Sequence, residues 1–403
     1  MKVDTMRKID HLAGVPLCFL STLILKFIKL GSKGSPKVEN VLFIELSEMG
    51  STILADPAMR KIREKKNAEL FFVIFKKNKA SLDLLKTVPD ENIFTISEDG
   101  LFNLAADTLR FLKWCRDKKI DTVIDLELFS RFTALLTGFC GADNRVGFYR
   151  FHNEGLYRGE MLTHKVAYNP HIHISKNFIA LVNSLLSGEN ELPFSKTVIP
   201  DSEVSLPVLR FSELEQDRIK GIIRKLYPHY DRRKHRIVLI NPNASELLPQ
   251  RRWMPEYFCE LMKMILDFSE DVLLLITGAP SEAEEAESLR NSTGSERCVN
   301  FAGRVKFSEL PTLYSISEFM ITNDSGPGHF SSITPMPTYV FFGPETPALY
   351  GSLGKTTPIY AHLACSPCVS AANHRKTPCE DNKCLQVIKP EHVFEIIRKS
   401  LEF

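Results

Sequence analysis

Tryptophan is nearly absent from these 403 residues, with two copies, and cysteine is sparse, with nine. So few cysteines, unevenly placed, do not build the disulfide scaffold of a small secreted protein, and a reducing cytoplasmic compartment is the default reading. Charge of one sign is lacking too: 51 Lys and Arg stand against 49 Asp and Glu, a formal net charge of +2. A dedicated nucleic-acid binder draws its affinity from a strong positive field, so nucleic acid is not an expected partner. Glycine and proline, at 20 and 23 residues, fall short of a collagen-like or low-complexity composition, and no short-period repeat is visible. Long hydrophobic runs are missing as well. The uncharged stretch from Leu12 to Leu25 has 14 residues, short of the ~20 that a spanning helix needs, and no small-residue cleavage site follows it.

What is present is ordinary for a globular protein, 44% hydrophobic and 25% charged. At about 150 residues per domain the length predicts two domains. Residues 1–37 form a separate segment in which Leu12, Val15, Pro16, Phe19, Leu20, Leu23, Ile24, Phe27 and Ile28 follow the i, i+3, i+4 stripe of an amphipathic helix. Seven Lys or Arg accompany two Asp there, so the stripe suits the plane of an anionic cytoplasmic leaflet. A helix packed on the protein's own core and an uncleaved signal-like segment are the other readings.

From Val38 onward, strand-like and helix-like segments alternate. Strands are expected at Val41–Leu46, Leu70–Phe75, Ile93–Ile96 and Asp121–Leu126, and again at Ile237–Ile240, Val272–Thr277, Phe319–Thr322 and Thr338–Phe342. Helices are expected at Thr52–Lys66, Leu101–Lys118, Glu213–Leu226, Pro255–Phe268 and Glu282–Asn291. This alternation predicts βαβ units and parallel sheets. The expected organisation is an acceptor-side Rossmann-like domain at 38–195, a linker at 196–235, a ligand-binding Rossmann-like domain at 236–390 and a C-terminal helix at 391–403. Two such domains would face a cleft, with ligands at the carboxyl ends of the strands. The stretch from Ala142 to Ser187 is rich in Arg, Lys and His. It reads as a basic surface, either merely solvated or, through Arg145, Arg150 and His173, in contact with an anionic acceptor.

Two motifs carry chemistry. In Asn323-Asp324-Ser325-Gly326-Pro327-Gly328-His329 a strand ends, glycines turn the chain and a helix begins near His329, an arrangement whose backbone N–H groups suit a phosphate. In Gln250-Arg251-Arg252-Trp253-Met254-Pro255-Glu256 paired arginines precede a helix and can neutralise a diphosphate.

Together with LSEMGSTILADPAMR after the first strand, Gly141-Ala142-Asp143-x-Arg145-x-Gly147, Gly278-Ala279-Pro280-x-Glu282 and Phe342-Gly343-Pro344, these blocks resemble glycosyltransferase family 9, the heptosyltransferase-like enzymes of lipopolysaccharide core synthesis. The resemblance runs roughly from Val38 to Val393. It implies a GT-B fold and an inverting, metal-independent transfer of a heptose-like sugar. The donor would be an ADP-heptose-like nucleotide sugar, and the acceptor lipid-linked or of lipopolysaccharide type. The enzyme would be cytoplasmic, peripheral to the inner face of the membrane. The resemblance also implies that Asp324, Ser325, Gly326, Gly328 and His329 hold the diphosphate-sugar, that Arg251, beside Arg252, replaces a phosphate-contacting lysine, and that Glu282 binds the ribose.

One position departs. The family's first loop ends Gly-Asp, the Asp serving as general base, whereas this chain reads Gly50-Ser51. A neutral serine cannot replace a carboxylate by itself. Glu48, a loop residue, is the leading substitute. Absence of a carboxylate base is the next reading, and Asp56 on the following helix is the third. Two alternatives to the transferase therefore stand beside it: a silent nucleotide-sugar binder and a GT-B-type nucleotide-sugar epimerase. Finally, Cys365, Cys368, Cys379 and Cys384 crowd together around His374. They read as a structural zinc site, a conditional disulfide or free thiols, and their spacing is not that of a standard finger. Asn373, His374 and Arg375 lie in the same segment, within reach of the expected cleft.

Overall fold

The structure is a computed structural model that describes residues 3–28, 35, 37–128, 130–149, 156–370, 373 and 376–402. The chain forms two compact units, Met1–Ser205 and Leu206–Phe403. In the first, β1 (Asn40–Ile44), β2 (Glu69–Phe75), β3 (Ile93–Ile96), β4 (Thr122–Asp125), β5 (Asn144–Tyr149) and β6 (His164–Ala167) make one sheet in the order β3-β2-β1-β4-β5-β6. Every pairing is parallel. In the second, β7 (Arg236–Asn241), β8 (Val272–Ile276), β9 (Cys298–Asn300), β10 (Phe319–Asn323), β11 (Thr338–Phe342) and β12 (Thr356–Tyr360) make another in the order β12-β11-β10-β7-β8-β9, again all parallel. Counted within each unit, both orders are 3-2-1-4-5-6, the doubly wound order in which the chain reverses direction beside the first strand.

The strands are apolar without alternation because helices cover both faces of a parallel sheet. All five residues of β8 are buried, as are all of β10 and β11. Trp253 is the keystone of the second core: its ring stacks on Phe341 at 4.3 Å and its indole N–H donates to the Ile388 carbonyl at 2.9 Å.

The helices Glu213–Leu226 and Pro255–Phe268 fall where the pattern predicts them. The first carries a capping box between Ser212 and Glu215, and the second has proline as its first residue. Four expectations change. The single N-terminal helix is two, α1 (Val3–Leu12) and α2 (Gly14–Ile28), joined at Ala13. Strand β1 stops at Ile44, leaving Glu45 beyond it, and helix α3 (Met49–Lys66) starts three residues ahead of Thr52.

The largest change concerns residues 142–187. This stretch holds β5, β6 and the largely buried Ile174–Ser187 helix, and its arginines 145 and 158 are buried. Charge alone suggested surface, but each guanidinium is sunk among backbone carbonyls, which satisfy its donors without solvent. Among the described residues no single helix is long and apolar enough to cross a membrane, although the bent pair Thr5–Leu12 and Gly14–Phe27, at 42°, meets the requirement by length and composition.

Candidate functional site

In the second unit the expected donor residues gather where β7, β10 and β11 end. Arg251 points its Nη2 at Glu345 Oε2, and its Nε lies 3.5 Å from Asp324 Oδ2. Both acids are almost wholly buried. Burial pushes the Glu345 carboxyl above the usual carboxylate range, and the adjoining Asp324, to which it hydrogen-bonds, pushes the same way against the pull of Arg251. Glu345 therefore tends to keep a proton and leaves Asp324 to balance Arg251. Burial opposes the charge on Arg251, but Asp324 and Glu345 outweigh it and raise the group above its ordinary value.

Geometry leaves polar capacity over in this cluster. Arg251 Nε and Asp324 Oδ2 are buried without a well-formed hydrogen bond, a costly state for groups this polar unless a ligand completes them. Arg252 faces elsewhere, donating to the Ala244 carbonyl at 2.9 Å and to Glu246 at 3.1 Å. The expected arginine pair thus splits, with one guanidinium at the acid cluster and the other bracing the loop after β7.

The Asp324 loop is framed by Asn323, whose Oδ1 accepts from Trp253 N–H at 3.0 Å and whose Nδ2 donates to the Pro242 carbonyl at 2.7 Å. Ser325 takes the N-cap position with extended backbone, and the helix begins at Gly326 rather than near His329. His329 is buried, its Nδ1 3.3 Å from Ser352 Oγ. A Cβ on Gly328 would lie 3.0 Å from that same hydroxyl, an approach tight enough that Ser352 would have to shift. Glu282 returns one oxygen to Ala279 N–H at 2.6 Å. Its neighbour Asn243 carries a buried Nδ2 without a hydrogen-bond partner, and a Cβ on Gly278 would sit within 3.0 Å of both side chains.

Asn243 and Glu345 were not singled out from sequence as site residues. Glu345 directly follows the Phe342-Gly343-Pro344 block, so its place in the chain was the available signal.

In the first unit Glu48 is half-buried at the N-terminal boundary of α3. Its Oε2 accepts from Ser51 Oγ at 3.3 Å, so the serine in the departing position addresses the leading carboxylate. The preceding loop is pinned by Glu127 Oε1, which accepts from Leu46 N–H, Ser47 N–H and Ser47 Oγ at 3.1, 3.2 and 2.9 Å. Asp56 has no exposed surface and bonds Arg60 Nε at 2.8 Å and the Thr87 hydroxyl. These bonds use it to tie α3 to Thr87, away from solvent.

Of the acceptor candidates, Arg145 and His173 fall among the described residues. Arg145 is buried and donates to the Met161 and Ala142 carbonyls at 2.6 and 2.7 Å, so its guanidinium is turned inward. Burial also holds it below its ordinary value. His173 accepts from Ser175 N–H at 3.2 Å ahead of the Ile174–Ser187 helix. Arg150 lies outside the described residues, as do His374 and Arg375.

Cys365, Cys368, Cys379 and Cys384 are all free thiols. Cys368 lies 3.3 Å from Thr377 Oγ1, and Cys379 and Cys384 point at Asp381 and Asn382. Among the described residues no group of three or more His, Cys, Asp or Glu side chains is arranged to hold a metal. The donor set needed for zinc is therefore not assembled by these four sulfurs.

The profile of glycosyltransferase family 9 (heptosyltransferase) matches residues 108–377, more than half of the chain. The chain belongs to glycosyltransferase family 9. Lipooligosaccharide heptosyltransferase 2 of Campylobacter jejuni is 30% identical over 171 residues, covering 41% of this chain and 51% of that protein. The chain thus spans about half the length of the curated relatives it matches. Two solved structures share the fold. The E. coli ADP-heptose LPS heptosyltransferase II has a TM-score of 0.67 at 19% identity, over 90% of this chain and 98% of that one. A family 9 glycosyltransferase from Veillonella parvula has a TM-score of 0.68 at 18% identity, over 92% and 99%. This family 9 chain therefore has the two-sheet GT-B architecture.

Proposed function

We propose that the chain is an inverting heptosyltransferase. In this reading it moves a heptose from an ADP-type nucleotide donor to a lipopolysaccharide-type acceptor at the cytoplasmic face of the membrane. The observation that carries the donor half is the buried Arg251, Asp324 and Glu345 cluster with its uncompleted Nε and Oδ2 atoms. A diphosphate would exchange into it, taking hydrogen bonds from Arg251, while the proton on Glu345 avoids a second negative charge beside the phosphates. Asn243, Gly278 and Glu282 offer a polar notch of the kind a ribose needs. Family membership and the relative named for ADP-heptose support the same donor class.

In the displacement, Glu48 takes the proton of the acceptor hydroxyl and the hydroxyl oxygen bonds to the anomeric carbon. The bond from that carbon to the phosphate oxygen breaks, its electron pair leaving on the diphosphate. Arg251 offsets the charge that develops there. Ser51, donating to Glu48, orients the carboxylate. No step requires a metal.

The test is to incubate the purified protein with ADP-heptose, with and without lipopolysaccharide core acceptor, and to follow free ADP and the acceptor's mass. ADP release that depends on acceptor and adds one heptose supports the reading. Donor binding without transfer to any core acceptor overturns it and leaves a silent binder, the reading that Ser51 in place of an acid favours.

A further inference from the structure

Helix α2 is built inside out. Toward the protein it presents mostly small and polar residues: Gly14, Cys18, Ser21 and Thr22 are buried, with Leu25 packed beside Cys18, Ala134 and Met161. Thr22 Oγ1 donates to the Cys18 carbonyl at 2.7 Å and accepts from Glu160 N–H at 2.9 Å. A Cβ on Gly159 would come within 2.7 Å of that hydroxyl, so α2 lies as close to this segment as glycine permits. Toward solvent it presents Leu17, Phe19, Leu20, Leu23, Ile24 and Phe27, all exposed, Phe27 at 76%. At about 100° per residue the two sets occupy opposite sides of the helix. In a soluble helix the apolar side faces the core; here the core contact is already made by the other side.

We propose that this outward face is a membrane-docking surface that lies in the plane of an anionic lipid leaflet. The inference rests on the reading of a lipid-borne acceptor and adds which surface meets the lipid and by what chemistry. Charge supports it. Lys8 and Lys26 are exposed on the same two helices, and of the two acids in residues 1–37, Asp10 is turned inward. Its Oδ1 accepts from the N–H groups of Arg131 and Phe132, each at 2.9 Å, and its Oδ2 lies 3.2 Å from Arg131 Nη1. That carboxylate sits at the start of the Arg131–Phe139 helix, where a negative charge is favoured, and it latches α1 to the protein. The latch also argues for lying on the membrane rather than crossing it: α2, at about 1.5 Å per residue, is too short alone to cross a core of about 30 Å, and adding α1 would tear Asp10 from its partners. A second copy is the poorer occupant, because a two-fold pairing of this face would set its cations against themselves.

The test uses the full chain and sedimentation with vesicles of phosphatidylcholine, with or without about a third of phosphatidylglycerol, compared with the variant Phe19→Gln/Leu23→Gln/Phe27→Gln. The expected result is strong, salt-weakened partition onto the anionic vesicles, reduced roughly ten-fold or more in the variant. The same changes at exposed apolar sites elsewhere, Val198→Gln/Leu214→Gln, should leave it unaltered. Equal partition of the triple variant and wild type overturns the proposal. So does a wild-type dimer in vesicle-free buffer that the triple variant converts to monomer. Transfer to a deacylated, soluble core acceptor is measured alongside: it should be unchanged in the triple variant. Its absence in wild type would sink the transferase reading and leave the vesicle result standing.

Discussion

Arg251 and Glu345 form a buried pair inside the second unit, with Asp324 closing the other side of the guanidinium at 3.5 Å. Two acids and one base cannot all be charged there at low cost. The proton on Glu345 is the cheapest way to balance them.

The pH dependence of donor binding follows. Glu345 is raised by burial and by Asp324, so its neutral form is the one the fold favours. Stability from this group is full below the ordinary glutamate range and is lost as pH climbs from there through the raised value. Deprotonation also adds a negative charge beside the diphosphate. Glu345→Gln, which keeps the neutral shape, should therefore match wild type in ADP affinity at mildly acidic pH and exceed it at alkaline pH. Calorimetric titration across that window checks this, and identical pH profiles for the two proteins would count against it.

Arg251→Ala should weaken ADP binding by about 1.5–3 kcal/mol, the size of a charge-assisted hydrogen bond. Arg252→Ala, which loses bonds to Ala244 and Glu246, should do much less. Equal losses at both positions would contradict the divergence of the two side chains.

Glu48→Gln should lower turnover by about 10² to 10⁴, the usual contribution of a general base, with donor affinity unchanged. Ser51→Ala should be milder, since it removes only the hydroxyl at 3.3 Å from the carboxylate. Full turnover by Glu48→Gln would remove it from the mechanism.

In the first unit Arg158 bonds the buried Asp125 and the Glu127 and Ser130 carbonyls. Burial pushes Asp125 up to about 6 although Arg158 pulls it down. Arg158→Ala leaves that buried acid without its cationic partner and should cost about 3–5 kcal/mol of stability in denaturant unfolding. A loss within experimental error would show that the pair is not structural.

Thiol reactivity should divide the cysteine cluster. Cys384 is buried, and its thiol is pushed up to about 11, whereas Cys365 is exposed. Alkylation at mildly alkaline pH, followed by peptide mass mapping, should label Cys365 well before Cys384.

Parallel strands announce themselves as unbroken apolar runs such as Val272–Ile276, and the blocks around Asp324 and Arg251 lie at strand ends, so the architecture and the position of these loops were legible in one dimension. Helix ends were legible where local chemistry sets them, as with Ser212 and Glu215. Burial of charge was not. Arg145 and Arg158 look like surface until the carbonyls that receive them are assembled from distant turns. Glu345 lies 94 positions from Arg251, and only the side-by-side parallel pairing of β7, β10 and β11, which brings their carboxyl ends together, makes them partners. The apolar period of α2 was plain from sequence, but its direction was not. Periodicity defines a face without saying which side the rest of the chain covers, and that was decided by the close approach of Gly159 and by the Asp10 latch, contacts that exist only once the tertiary fold has formed.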